Sequence, residues 1–176
     1  KYLILLKALN YWLGLFLYIY YMSIEDLYKL YTKSSGVVTD SRKTSNNCIF
    51  FSLKGVNFNG NEFAKSAIKN GALCAIVDEK KYFQNNKNYI YVEDCLDTLQ
   101  KLANFHRKKL KTKIIGITGS NGKTTSKELI NSVLKTNFKT YCTKGNLNNH
   151  IGVPLSLLEI SNETEFAIIE MGANHI

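Results

Sequence analysis

The sequence predicts an α/β fold in two parts, on three observations. From Met22 onward, short apolar runs alternate with segments of helical periodicity, the order of strands interleaved with helices. The apolar runs at residues 73–77 and 114–118 read as buried strands, and the second has the unbroken apolar character of a parallel strand covered on both faces. Finally, a glycine-containing stretch, Gly119-Ser120-Asn121-Gly122, joins a strand-like run directly to a helix-like one.

Each element has its own signal. Ser23 is placed to cap a helix over residues 24–31, with Glu25 and Asp26 in the first turn, where the helix dipole favours acids. Ile24, Leu27, Tyr28 and Tyr31 fall on one face of it. Residues 36–39 and 48–53 read as strands, and residues 63–69 as a helix closed by Asn70-Gly71, a C-cap signal. Strands follow at 73–77 and 88–92. Asp94 then caps a long helix reaching about Leu110. Its acid comes early (Asp97) and its bases late (Lys108, Lys109, with Lys111 just beyond), so the basic cluster reads as a solvated helix end. His106, inside this helix, reads as structural or solvated. A second unit opens near Lys113 with the strand at 114–118 and the glycine stretch. A helix from Lys123 to about Leu134, a strand near Thr140 and an Asn-rich loop follow, then a short helix after Pro154 and a strand at 166–169. The expected domains are therefore 22–110 and 111–176. The second sheet needs further strands to close, so the sequence reads as truncated.

Composition narrows the function classes. Lys+Arg exceed Asp+Glu by 23 to 14, a net charge of +9. Yet Arg42 and Arg107 are the only arginines, and arginine is the residue favoured for bidentate phosphate and base contacts. A nucleic-acid partner is not expected. Cys48, Cys74, Cys95 and Cys142 form no CxxC pair, which argues against a zinc ribbon or redox dithiol and suits a reduced, cytoplasmic setting. Residues 1–21 differ from the rest in being almost wholly apolar and aromatic. The clean stretch from Ala8 to Tyr21 is 14 residues, short of the roughly 20 a spanning helix needs. We read residues 1–21 as an extension upstream of a start at Met22; a membrane-associating segment is the competing reading.

The chemistry concentrates in Thr118-Gly119-Ser120-Asn121-Gly122-Lys123-Thr124-Thr125. A glycine loop leading into a helix presents backbone N–H groups and a positive helix end to a phosphate. Lys123 is placed to reach the β/γ-phosphates, and the Thr124 hydroxyl to ligate Mg²⁺. The match to G-x-x-x-x-G-K-[ST] is imperfect, because Ile117 stands where the first glycine should. Gly119, Ser120, Asn121, Gly122, Lys123, Thr124 and Thr125 are the candidate ATP contacts. Such sites need an acid at the end of a neighbouring strand, and Ile168-Ile169-Glu170 offers one. Between them lies Asn146-Leu147-Asn148-Asn149-His150, a polar loop ended by Gly152 and Pro154.

Taken together, these motifs resemble the Mur ligase family of ATP-dependent peptidoglycan-precursor ligases. Thr118–Thr125 is similar to that family's short-register phosphate loop. Residues 144–158 (KGNLNNHIGVPLSLL) and 169–175 (IEMGANH) resemble the branch that adds D-alanyl-D-alanine. Thr39-Asp40-Ser41-Arg42-Lys43 resembles the family's D-[ST]-R signature, and residues 50–63 its F-x-A-L-K-G…[DN]-G-H-x-F, with Ser52 for the frequent Ala and Asn61 for the frequent His. The resemblance implies a small N-terminal α/β substrate domain followed by the start of a P-loop parallel-sheet ATPase domain. It implies ATP and Mg²⁺, the latter held by Thr124 and Glu170, and catalysis through Lys123 and Glu170. Ser41, Arg42 and Lys54 would bind the uridine diphosphate end of UDP-N-acetylmuramoyl-tripeptide, while Asn146, Asn148, Asn149 and His175 would contact substrate. It further implies a soluble monomer, and that these residues without the family's remaining machinery have no ligase activity alone. A sibling ligase adding a single amino acid, and a membrane-anchored UDP-sugar-binding module, are the alternatives.

Overall fold

The computed structural model describes residues 22–172. The chain divides into two compact units at Thr98/Leu99, inside the long helix, whereas the boundary expected from sequence lies at that helix's end.

The first unit opens with helix α1 (Ile24–Tyr31). The Ser23 hydroxyl accepts from the Asp26 N–H at 3.1 Å, satisfying one of the donors a helix leaves orphaned at its start. Strands β1 (Val37–Val38) and β2 (Ile49–Phe51) follow. Next comes a hairpin of β3 (Lys54–Gly55) and β4 (Phe58–Asn59). After helix α2 (Ala64–Lys69), strands β5 (Cys74–Val77) and β6 (Tyr89–Tyr91) complete a four-stranded sheet in the order β1-β2-β5-β6. All its pairings are parallel. Phe50, Ala75 and Tyr89 stand in register across it, packed with Ala64 and Ala67 of α2. Ile49, Phe51 and Ile76 point the opposite way along their strands and are equally buried. Each such side chain contributes about 1.5–3 kcal/mol by leaving water, which is why strands this short suffice.

Helix α3 (Cys95–Lys109) carries the chain into the second unit. There β7 (Lys113–Ile117), helix α4 (Lys123–Leu134), β8 (Thr140–Cys142), helix α5 (Gly152–Leu158) and β9 (Phe166–Glu170) follow in turn. The sheet order is β7-β9-β8, all parallel, so the last strand lies between the other two. One face packs Ala167 and Ile169 against Val153 and Leu157 of α5, and α4 packs against β8 and β9.

Three details depart from the sequence reading. The β3–β4 hairpin was not expected: its strands are two residues each and largely exposed, so no apolar pattern marks them. Pro154 lies within the first turn of α5 rather than before it, a position where its missing N–H costs nothing. β7 is an edge strand among the described residues and is only half-buried. No helix among the described residues is long and apolar enough to cross a membrane. Residues 1–21, with the extension reading and its membrane alternative, lie outside the described residues.

His106 is buried, its Nε2 2.9 Å from the Ile160 carbonyl oxygen. Burial pushes its pKa below the ordinary histidine value, against the opposing effect of that carbonyl. A histidine depressed in the folded state binds its proton more readily when unfolded, so its stabilising contribution is intact above the unfolded pKa of about 6.5 and is lost as pH falls through it. Thermal melts should therefore show a midpoint that drops between pH 7.5 and 5.5, and His106→Gln should flatten that slope; an equally steep slope in the variant would contradict this.

Candidate active site

The second unit brings the phosphate loop, the strand-end acid and one of the candidate asparagines together. Gly122, at φ 74° and ψ 0°, turns the chain through the left-handed region and starts α4 with no side chain capping it. That conformation favours glycine, and the uncapped helix start leaves its first amides free for an anion. Lys123 is half-buried and its Nζ donates to the Gly119 carbonyl at 2.6 Å, folding back across the loop.

Glu170 is buried at 2% exposure at the end of β9. Its Oε2 accepts from the Thr124 hydroxyl at 3.1 Å and its Oε1 from Asn148 Nδ2 at 2.8 Å. Burial alone would raise its pKa. The hydrogen bonds from Asn148 and Thr124 and the charge of Lys127 outweigh that and hold the carboxyl below its ordinary value. The Asn148 carbonyl in turn accepts from the Gly172 N–H at 2.7 Å, locking the Asn-rich loop to the exit of β9.

The remaining candidates are placed differently. Asn149 Oδ1 accepts from the N–H groups of Ile151 and Gly152 and so caps the start of α5. Asn146 is exposed. Ser120, Asn121 and Thr125 are exposed on the loop and first turn. His175 lies outside the described residues.

Sequence reasoning missed Lys127. It is fully buried on α4, and its Nζ lies 2.7 Å from the Thr143 carbonyl oxygen, 3.2 Å from that of Gly145, 3.3 Å from Glu128 Oε1 and 3.6 Å from Glu170 Oε2. Burying an ammonium costs on the order of several kcal/mol unless its protons are matched, and here they are. One signal was present. Lys127 lies three residues before Ile130 and seven before Leu134, so helical spacing puts it on their face, and in the fold these are among the less exposed positions of α4.

In the first unit, Ser41 begins a single 3₁₀ turn (Ser41–Lys43) after Asp40. The exposed Arg42 guanidinium donates twice to Asp40, at 2.9 and 2.8 Å, and holds that carboxyl down at about 2. A solvent-screened pair of this kind contributes little stability, so Arg42 can exchange it for another anion. Lys54 pairs with the buried Asp78 at 3.2 Å. Burial opposes its charge, but Asp78 and Glu79 keep its pKa above the ordinary lysine value. Asn61, at the position of the frequent histidine, is buried. It donates to Asp78 Oδ1 at 2.8 Å and accepts from the Asp78 N–H at 3.1 Å, which ties the hairpin exit to the end of β5. All four cysteines are free. Burial pushes the Cys74 thiol up to about 12 and raises that of Cys95 as well, so neither is a ready nucleophile.

Fold and site together define a phosphate-loop α/β protein with a separate parallel-sheet unit ahead of the loop. Residues 33–107 match the catalytic domain of the Mur ligase family and residues 117–176 match the Mur ligase middle domain. The chain belongs to the Mur ligase family. It is 43% identical over 138 residues to the UDP-N-acetylmuramoyl-tripeptide–D-alanyl-D-alanine ligase of Bacillus subtilis (strain 168), covering 78% of this chain and 30% of that protein. Among solved structures, MurF from Acinetobacter baumannii aligns with a TM-score of 0.73 at 34% identity, over 84% of this chain and 35% of that one. MurF ligase from Thermotoga maritima in complex with ADP aligns with a TM-score of 0.71 at 34% identity, over 80% and 32%. The chain thus spans about a third of the length of the relatives it matches.

Proposed function

We propose that this chain provides the UDP-substrate unit and the phosphate loop of an ATP-dependent amide ligase. The enzyme would join D-alanyl-D-alanine to UDP-N-acetylmuramoyl-tripeptide, in the cytoplasm. The observation that carries the reading is the convergence of Thr124, Glu170 and Asn148 beside the uncapped start of α4. The relatives' shared activity and the ADP complex of one of them support it.

The donor set suits a magnesium ion. A hydroxyl and a carboxylate oxygen stand 3.1 Å apart, close to the roughly 3 Å between neighbouring ligands of an octahedral ion with bonds of about 2.0–2.1 Å. Magnesium takes most of its ligands from water and phosphates, with one or two from protein. Thr124 and Glu170 would hold it, and when bound it would neutralise charge building on the transferring phosphoryl group. Lys123 would leave the Gly119 carbonyl for the γ-phosphate and stabilise the same charge. The loop amides and the start of α4 would orient the triphosphate while the tripeptide carboxylate attacks the γ-phosphorus. ADP leaves. The dipeptide amine would then attack the acyl carbon of the acyl phosphate, forming the C–N bond as the C–O bond to phosphate breaks, with phosphate and a proton released. Ser41, Arg42 and Lys54 would bind the uridine diphosphate end, Arg42 by trading Asp40 for a phosphate oxygen.

The full-length gene product, given ATP and the tripeptide substrate, should release phosphate rapidly with D-alanyl-D-alanine and slowly with any single amino acid. A preference for a single amino acid would move the protein to a sibling activity.

A further inference from the structure

We propose that Lys127 is a positioning residue for the phosphate site. Its buried ammonium would set the Glu170 carboxylate and the Thr143–Gly145 turn in the arrangement that Thr124 and Asn148 require. The inference rests on the phosphate-loop reading above and deepens it.

The geometry argues for this role in two ways. An ammonium has three protons and no acceptor, and the shortest contacts of Lys127 are the carbonyls of Thr143 and Gly145, at 2.7 and 3.2 Å. Those carbonyls belong to the turn that leads straight into Asn146–Asn149, so the helix carrying Lys123 and Thr124 is bonded directly to the loop carrying Asn148. The Glu170 contact is longer, at 3.6 Å to Oε2. It attracts the carboxylate without taking the place of Thr124, which sits on the same oxygen at 3.1 Å. A second tie runs alongside: the Thr143 hydroxyl accepts from the Glu170 N–H at 3.0 Å. Thr143 thus holds the backbone of Glu170 and Lys127 draws on its Oε2, while Asn148 bonds the other carboxylate oxygen. A lysine serving the fold alone would need only the two carbonyls and the exposed Glu128 carboxylate, 3.3 Å away. The shared oxygen of Glu170 links this one to the donor set for the metal.

The test compares ADP binding by the full-length protein in EDTA and in excess Mg²⁺, measured by calorimetry, for the parent, Lys127→Met, Glu170→Gln and the double variant. Lys127→Met should bind ADP in EDTA as the parent does, yet lose about 10- to 100-fold of the gain that Mg²⁺ confers, the usual cost of removing a residue that orients a metal ligand. The double variant should lose no more than Glu170→Gln alone. A folded Lys127→Met that keeps the full Mg²⁺ gain, that loses affinity equally in EDTA, or whose loss adds to that of Glu170→Gln overturns the proposal. If Lys127→Met does not fold, recovery of a cooperative melt in the double variant supports coupling of the two charges; continued failure to fold assigns Lys127 to the fold alone. A parent that binds no ADP, or a Lys123→Ala variant that binds it undiminished in EDTA, would instead remove the phosphate-loop reading, and this proposal with it.

Discussion

Lys123→Ala is expected to lower ATP turnover by the full-length enzyme by about 10³-fold or more, the scale on which a single cation acts in phosphoryl transfer. The side chain starts α4 and spans the loop to the Gly119 carbonyl, and in the function proposed above its charge acts on the β/γ-phosphates. Few other contacts depend on it: Thr124, Glu170 and Asn148 are bonded to one another rather than to Lys123. The variant should therefore melt like the parent, and the loss should appear in turnover. Phosphate release measured beside a thermal melt separates the two. Turnover surviving in the folded variant would overturn the phosphate-loop assignment.

The second large effect is expected at Gly152, which opens α5. A Cβ there would stand 2.5 Å from the Leu147 carbonyl carbon and 2.6 Å from its Cα. These are backbone atoms of the Asn-rich loop and cannot rotate aside, so Gly152→Ala must push the loop away. Overpacking of this kind costs about 1–3 kcal/mol, or about 4–8 °C in Tm per kcal/mol for a unit this small. Activity should fall further than stability, because the displaced segment carries Asn148 off Glu170 Oε1 and disturbs the Asn149 cap. Gly55→Ala is the matched control, since a Cβ there meets nothing within 4 Å. If Gly152→Ala melts with the control, the close approach is softer than described.

Much of this arrangement was legible in the residues, for local reasons. Helices α1 and α4 begin and end where capping and periodicity place them, because Ser23 and Gly122 carry their own boundary signals. Glu170 could be picked out as an acid closing an apolar strand, and the fold bonds it to Thr124. What escaped depends on distant partners. Helical spacing sets Lys127 beside Ile130 and Leu134, but its matched burial shows only when β8 and β9 are set beside α4, because the carbonyls that take its protons come from Thr143 and Gly145. Asn149 looks like a cleft residue within a polar loop, and only the start of α5 shows its oxygen committed to capping. The β3–β4 hairpin has no apolar face to announce it.

The strand order β7-β9-β8 sets the timing of assembly as the chain is made. Lys113 and Thr140 both pair with Phe166, so among the described residues β7 and β8 gain their shared neighbour only once β9 has been synthesised. Loop closures this long are the slow part of forming a parallel sheet. The first unit, whose strands β1, β2, β5 and β6 all precede α3, can complete its sheet earlier on the ribosome. The glycine loop emerges before its acid, and the two meet only when β9 enters between β7 and β8.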